Sequence, residues 1–274
     1  MNKIAILFII LLSSTTFAEM SKGSKFIVTS ITPLASIIAM LVTDQVEIVS
    51  IANDNSCPHH YHLKPSDLTK VQDANMVFYI DEQFDGFAGK LMKSHNKNVI
   101  KISNFTGLKI INDNWHIWLI LDNVIIILEQ LSVILAEQFP DISVSIYQNL
   151  EWSKQQIQEL AKIKETKLLS LTDAILLSDS LEYFFNAGQY NITKLYNYNQ
   201  KSLKYINNLE KLLSKSSSKC LILSLDQDTQ IYKKFNATIV AVDSENWQID
   251  QITSNSFYSK YLKIINQVTQ CLNY

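Results

Sequence analysis

Short apolar runs, set at intervals between helix-like stretches, constrain this chain more than any other feature. Candidate strands are Phe26–Ile31, Glu47–Ala52, Met76–Ile80, Val99–Ile102, Leu168–Leu171, Cys220–Leu225 and Ala237–Val242. Several are rich in Val and Ile, as strands buried in parallel sheets are. Helical patterns lie between them, at Pro33–Leu41, Ser66–Ala74 and Ser202–Leu213. Strands that alternate with helices predict βαβ units, parallel sheets and an α/β fold.

The middle of the chain breaks that rhythm. From Ser143 to Lys164 it reads SVSIYQNLEWSKQQIQELAKIK, without Gly or Pro. Ile146, Leu150, Ile157, Leu160 and Ile163 fall at spacings that suit one face of a helix. At ~1.5 Å per residue such a helix is about 33 Å long, the width of a domain. We read it as a single helix joining two α/β lobes, each a parallel sheet flanked by helices. The competing reading is an ordinary surface helix of one larger domain. A chain of 274 residues is long enough for two domains. The expected division is a signal peptide over 1–18, a first lobe over 19–141, the linking helix over 142–165 and a second lobe over 166–274.

The signal peptide rests on Lys3, a nine-residue apolar stretch from Ile4 to Leu12, and Thr16-Phe17-Ala18. The stretch is too short to cross a bilayer as a helix, and small residues at the −3 and −1 positions place cleavage after Ala18. The alternative is an N-terminal anchor that stays attached. No Cys lies near the cut, so a lipid anchor is not indicated. Ile120–Leu135 is the next most apolar stretch, but Asp122, Asn123, Glu129 and Gln130 interrupt it. All 24 basic residues are Lys and the net charge is −2. The lack of Arg argues against a site built on bidentate phosphate or carboxylate clamps. No basic stripe points to nucleic acid.

Export makes disulfides possible. The cysteines are Cys57, Cys220 and Cys271, so one is left over or pairs between chains. A bridge from Cys220 to Cys271 would tie the C-terminal helix to a core strand. It would close a loop of about 50 residues, worth about 4 kcal/mol by the chain-entropy argument. Separate buried thiols are the alternative.

Three of the five histidines fall within four residues, in Pro58-His59-His60-Tyr61-His62. Neutral imidazole is the commonest nitrogen ligand, so this cluster after an expected strand is a metal-site candidate. His116 lies among aromatics in Asn114-Trp115-His116-Ile117-Trp118-Leu119, where packing competes with ligation. Asp243 ends the run ATIVAVD. An Asp at the carboxyl end of a parallel strand points into the crevice where α/β folds bind ligands, unless it caps the next helix. His60-Tyr61-His62 also reads as the His-x-His pair of a metal-dependent hydrolase. That chemistry needs a nearby carboxylate base, and no further motif supplies one.

The segments His59–Asp67 and Asn112–Leu119 resemble the solute-binding proteins of zinc and manganese ABC transporters, the ZnuA/TroA type of the metal-binding cluster A-I family. That family carries a His followed by x-Tyr and then a Pro-Ser-Asp-like triplet. Here the segment reads His59-His60-Tyr61-His62-Leu63-Lys64-Pro65-Ser66-Asp67. The VQDANMVFYI that follows fits the family's next strand, and His116-Ile117-Trp118-Leu119 matches its His-x-Trp-Leu motif. The likeness runs over nearly the whole mature chain.

The resemblance implies a periplasmic, monomeric receptor, not an enzyme. Such a receptor captures Zn2+, or alternatively Mn2+, in the interlobe cleft and delivers it to an ABC permease. It makes His59 and His116 the first and second ligands and Asp243 the fourth. The third position, taken as the residue after the expected strand Leu168–Leu171, falls on Thr172, where the family usually has His or Glu. Water, His60, His62 or Asp173 would then complete the shell. Cys220 and Cys271 match the disulfide of zinc-type members, which leaves Cys57 free; the His-rich loop of many such members is absent. Two imidazoles favour zinc over manganese. The remaining alternative is a same-fold relative whose site Thr172 has weakened and which serves in adhesion.

Overall fold

The computed structural model describes residues 25–53, 61–96, 98–171, 173–185, 190–196, 202–245 and 247–272. The expected signal peptide, Cys57, His59, His60 and Thr172 lie outside these residues.

Two parallel four-stranded sheets carry the fold. The first holds β1 (Phe26–Ile31), β2 (Glu47–Ala52), β3 (Met76–Tyr79) and β4 (Val99–Lys101), in the order β2-β1-β3-β4. The second holds β5 (Ala174–Leu176), β6 (Ile192–Lys194), β7 (Cys220–Ser224) and β8 (Thr238–Val242), in the order β6-β5-β7-β8. Val28 sits opposite Val49 and Val77 in one sheet, and Ile222 opposite Leu176 and Val240 in the other. Both sheets therefore repeat one winding, in which the strand order turns back beside the first strand. Open α/β sheets bind ligands outside the carboxyl ends of their strands at such a point.

Among the described residues seven α-helices flank the sheets: α1 (Thr32–Val42), α2 (Pro65–Asp73), α3 (Glu82–His95), α4 (Leu121–Gln138), α5 (Ser143–Leu168), α6 (Leu203–Leu213) and α7 (Ser256–Val268). Every residue of α1 is buried. Its sequence, TPLASIIAMLV, is apolar on all sides, as a helix enclosed by others must be. It packs against β1 and β2 and against α4, α5 and α7, so elements of both lobes close over it. Among the described residues no helix is long and apolar enough to cross a membrane.

Helix α5 has 26 residues, about 39 Å at the usual rise. Its first half binds the first lobe. Asn149 Nδ2 donates to Leu41 O (2.7 Å) and Ser153 Oγ to Met40 O (3.2 Å), satisfying carbonyls at the end of α1 that have no partner within that helix. Its second half binds the second lobe. Lys164 donates to Phe184 O with its ammonium 4.2 Å from the centre of the Phe184 ring, and Lys167 Nζ donates to Asn266 Oδ1 (2.6 Å).

The strand expected at Leu168–Leu171 is not there. With no Gly or Pro to stop it, α5 continues to Leu168, and Leu169, 81% exposed, turns away from the helix with Ser170. The strand that opens the second lobe is β5, three residues further on from the expected end. Strand β6 was not expected at all: its three residues, Ile192–Lys194, are too few to show a period. Cys220, first residue of β7, is bonded to Cys271 in the turn after α7, with Cα atoms 5.5 Å apart.

Candidate functional site

The loops at the carboxyl ends of the two sheets meet, and His116 stands where they do. The chain reaches it after β4 through a tight turn bridged by Ile111 and Asn114. Asn112 and Asp113 form the turn with φ of 47° and 56°, the left-handed conformation that Asn and Asp tolerate best among residues with a Cβ. The second lobe grips this turn. Tyr183 Oη accepts from Ile111 N (2.8 Å) and donates to Asn114 O, and Asn114 Nδ2 donates to Asp179 O (2.8 Å).

That last bond decides the chemistry of His116. The amide nitrogen of Asn114 is committed to a carbonyl, so its oxygen faces the imidazole. Asn114 Oδ1 accepts from His116 N (3.1 Å) and lies 2.6 Å from His116 Nδ1. An amide oxygen can only accept, so Nδ1 is the donor and the neutral ring has its lone pair on Nε2. Metal-binding histidines are commonly held this way. The ring packs against Phe84 and Trp118, with centroids 5.1 and 5.3 Å away. His116 Nε2 lies 3.4 Å from Glu245 Oε1 of the second lobe, and both residues are buried, at 5% and 8% exposure.

Phe84 is itself placed by the turn from β3 into α3. Asp81 caps α3 by accepting from Gln83 N (2.9 Å), and Lys101 and Ser103 also bind its carboxylate. Burial would raise the Asp81 carboxyl, but these hydrogen bonds hold it below the ordinary carboxylate range. Asp85 accepts from Ile80 N (2.8 Å) and Asp81 N (2.9 Å), yet burial pushes its carboxyl up to about 6.

In the second lobe Asp243 directly follows β8. Its Oδ1 accepts from Trp247 N (3.0 Å), closing a turn that contains Ser244 and Glu245. Asp243 thus does not cap the next helix, α7, which begins at Ser256; it closes a turn instead, and a carboxylate has lone pairs for a ligand as well. Trp118 Nε1 donates to Ser244 O (3.1 Å), which ties this turn to the His116 loop. Beneath it Ser244 is hydrogen-bonded to Ser180 (2.8 Å) and Ser224 (3.1 Å), and Ser180 to Ser178 (2.8 Å), a row of hydroxyls across the ends of β5, β7 and β8.

The structure explains part of the first motif. Asp67 is buried in the first turn of α2, where its carboxylate accepts from Lys64 N (2.9 Å) and Tyr61 Oη (3.0 Å). The Tyr and the Asp of the motif are thus one latch, which pins the chain immediately after the His59-His60 pair. His62 is exposed. Asp173 precedes β5, at the sheet's amino end, and accepts from Ser217 N (2.9 Å) and Ser218 Oγ. It is therefore at the wrong end of the strand to complete a shell with His116. Thr172 lies outside the described residues; the strand Leu168–Leu171, on which its placement beside the cleft rested, is not there, and it is Leu177, Ser178 and Asp179 that follow β5.

Among the described residues no three His, Cys, Asp or Glu side chains gather to hold a metal. Those residues do bring His116 and Glu245 together. Sequence reading missed Glu245, which sits in the unpatterned segment DSENW; only its position two residues past a strand-end Asp hinted at it.

The family described as the periplasmic component A of the zinc-uptake complex, ZnuA, matches residues 27–273. An uncharacterized protein of Rickettsia prowazekii is 47% identical over 270 residues, covering 98% of this chain and 89% of that one. The high-affinity zinc uptake system protein ZnuA of Haemophilus ducreyi is 23% identical over 318 residues, covering 99% of each chain. The periplasmic zinc binding protein TroA of Treponema pallidum superposes with a TM-score of 0.77 over 92% of this chain and 100% of that structure. At 13% identity this last likeness is one of fold.

Proposed function

Because the chain belongs to the family of component A of the periplasmic zinc-uptake complex, we propose that it captures a divalent metal ion and delivers it to the permease of an ABC importer. Zinc is the favoured cargo and manganese the second. Family and fold are those of binding proteins rather than enzymes. The reading places the mature protein in the periplasm, after removal of residues 1–18, and gives His59, His116 and Asp243 the role of ligands.

The observation that carries it is His116. Its tautomer is set by Asn114, and its Nε2 lies 3.4 Å from a carboxylate oxygen of the second lobe, Glu245 Oε1. A buried imidazole facing a carboxylate suits zinc, and water filling an open position allows release.

Titrating zinc and manganese into the purified mature protein tests the reading. His59→Ala and His116→Ala should each weaken zinc binding at least ~10-fold, or about 1.4 kcal/mol. Unchanged affinity in either variant removes that residue from the site. A protein that holds no divalent metal would sink the whole proposal.

A further inference from the structure

We propose that Tyr183 is a positioning residue for metal capture: by clasping the turn 111–114 to the second lobe, it makes the binding form of His116 depend on contact between the lobes. The inference rests on the reading that this cleft takes a divalent metal, and it concerns how that metal is let go. The first support is where the turn's bonds run. Among the described residues, the hydrogen bonds that leave the turn for distant parts of the chain all go to the segment after β5. Ile111 N donates to Tyr183 Oη (2.8 Å), Tyr183 Oη donates to Asn114 O, and Asn114 Nδ2 donates to Asp179 O (2.8 Å). The first lobe's hydrogen bonds fall on either side of the turn, between Asn123 and Lys109 and from Trp115 Nε1 to Gln83 Oε1 (3.3 Å). Tyr183 is fit for the clasp. It is 1% exposed, and burial pushes its hydroxyl above the ordinary tyrosine range, so it keeps the proton it donates.

The second support is strain. Asn112 and Asp113 take φ of 47° and 56° in succession. Residues with a Cβ rarely sit there, and they persist where the surroundings over-determine them. Contact with the second lobe supplies that constraint, so parting the lobes lets the turn relax. The third is the relay to His116. Asn114 uses both ends of one amide, with Nδ2 on Asp179 O and Oδ1 on His116 Nδ1 (2.6 Å). With Tyr183 and Asp179 withdrawn, the amide is freer to turn, and the imidazole loses part of the hold that fixes its tautomer. Capture and lobe contact are thereby coupled. The apparent affinity scales with the fraction of molecules in which the clasp is made, and release goes through its opening.

The test compares the full mature protein with Tyr183→Phe, Tyr261→Phe and Asn112→Gly. Tyr261→Phe removes another hydrogen bond between the lobes, from Tyr261 Oη to Leu119 O (2.9 Å), without touching the turn. In the metal-free protein, amide hydrogen exchange at Ile111 should quicken in Tyr183→Phe and not in Tyr261→Phe. Nitrogen NMR shifts of the His116 imidazole should report a proton on Nδ1 in wild type and a weaker preference in Tyr183→Phe. Zn2+ should pass to a chelator at least ~5-fold faster from Tyr183→Phe, the effect of about one hydrogen bond, and at close to the wild-type rate from Tyr261→Phe. Asn112→Gly, at an exposed position, lifts strain from the turn and should slow release, so it decides the matter even where Tyr183→Phe fails to fold. Unchanged exchange at Ile111 would mean that Tyr183 does not hold the turn. Wild-type release from Tyr183→Phe, equal acceleration in both tyrosine variants, or unslowed release from Asn112→Gly would mean that the turn does not govern capture. A wild-type protein that holds no zinc would overturn the reading of the site, and the role of Tyr183 in capture with it, whatever the exchange at Ile111 shows.

Discussion

Asn114 shows how one side chain joins position to chemistry. Its amide nitrogen holds the second lobe through Asp179 O, and its oxygen orients His116. His116 stood out in the sequence because four residues matched a motif; its orientation did not, since Asn114, two residues away, is itself turned by a bond to Asp179 O, 65 residues from Asn114. Asp85, behind Phe84, offers a measurable consequence. Burial raises its carboxyl to about 6, against about 3.9 in an unfolded chain. Between about pH 4 and 6 the folded protein therefore keeps a proton that the unfolded chain releases. Stability from this group is present at the acid end and falls as pH rises through that window, by up to about 3 kcal/mol. Asp81 and Glu82, both lowered, act in the opposite sense, so the comparison must be with a variant. Urea denaturation of wild type and Asp85→Asn at pH 4.5 and pH 7 should show the difference moving in the variant's favour at the higher pH. A difference that does not change with pH would mean that Asp85 ionises normally in the fold.

At the scale of elements, the strands with strong Val and Ile content were legible almost to the residue: β1 and β2 match the expected bounds. The failure came at the α5–β5 junction. Leu168, Leu169 and Leu171 look alike in sequence, and only tertiary packing decides that Leu168 ends a helix, Leu169 meets solvent and Leu171 is buried. A misplaced strand then carried Thr172 with it, because a site residue in an α/β fold is identified by which end of a strand it occupies. The Cys220–Cys271 bridge fared better, since β7 and α7 are both well-patterned elements whose ends it joins. It closes a loop with a sequence separation of 51. Replacing both cysteines with Ser should lower unfolding free energy by about 4 kcal/mol, mainly by freeing the unfolded chain. Denaturant titration of the double variant against oxidised wild type gives the number. A loss under about 1 kcal/mol would show that α7 is anchored by its apolar face alone.

Across the whole molecule, the linking helix and the enclosed α1 give both lobes a common core: Ile38 and Leu41 of α1, Leu128 of α4, Ile157 and Leu160 of α5, and Ile264 and Ile265 of α7 belong to one buried cluster. A smaller cluster under α6, around Tyr205, Leu209 and Tyr232, serves the second sheet alone. Loops that carry the site therefore rise from a single framework, and metal binding should register as stabilisation of that framework. A ligand that binds only the folded state adds RT ln(1 + [L]/Kd), about 2.7 kcal/mol at 100 times Kd. For a chain of this size that corresponds to a rise in Tm of roughly 5–10 °C. Imidazoles must be neutral to bind, so protons compete with the metal and the rise should shrink as the solution is acidified. Calorimetric melting of the mature protein with and without zinc, at pH 7.5 and pH 5.5, measures both effects. His116→Ala should show little rise at either pH, while its melting without metal stays a single transition, because the shared core is untouched. An equal rise at both pH values, or an undiminished rise in His116→Ala, would mean that zinc is held elsewhere on the molecule by groups that do not include this imidazole.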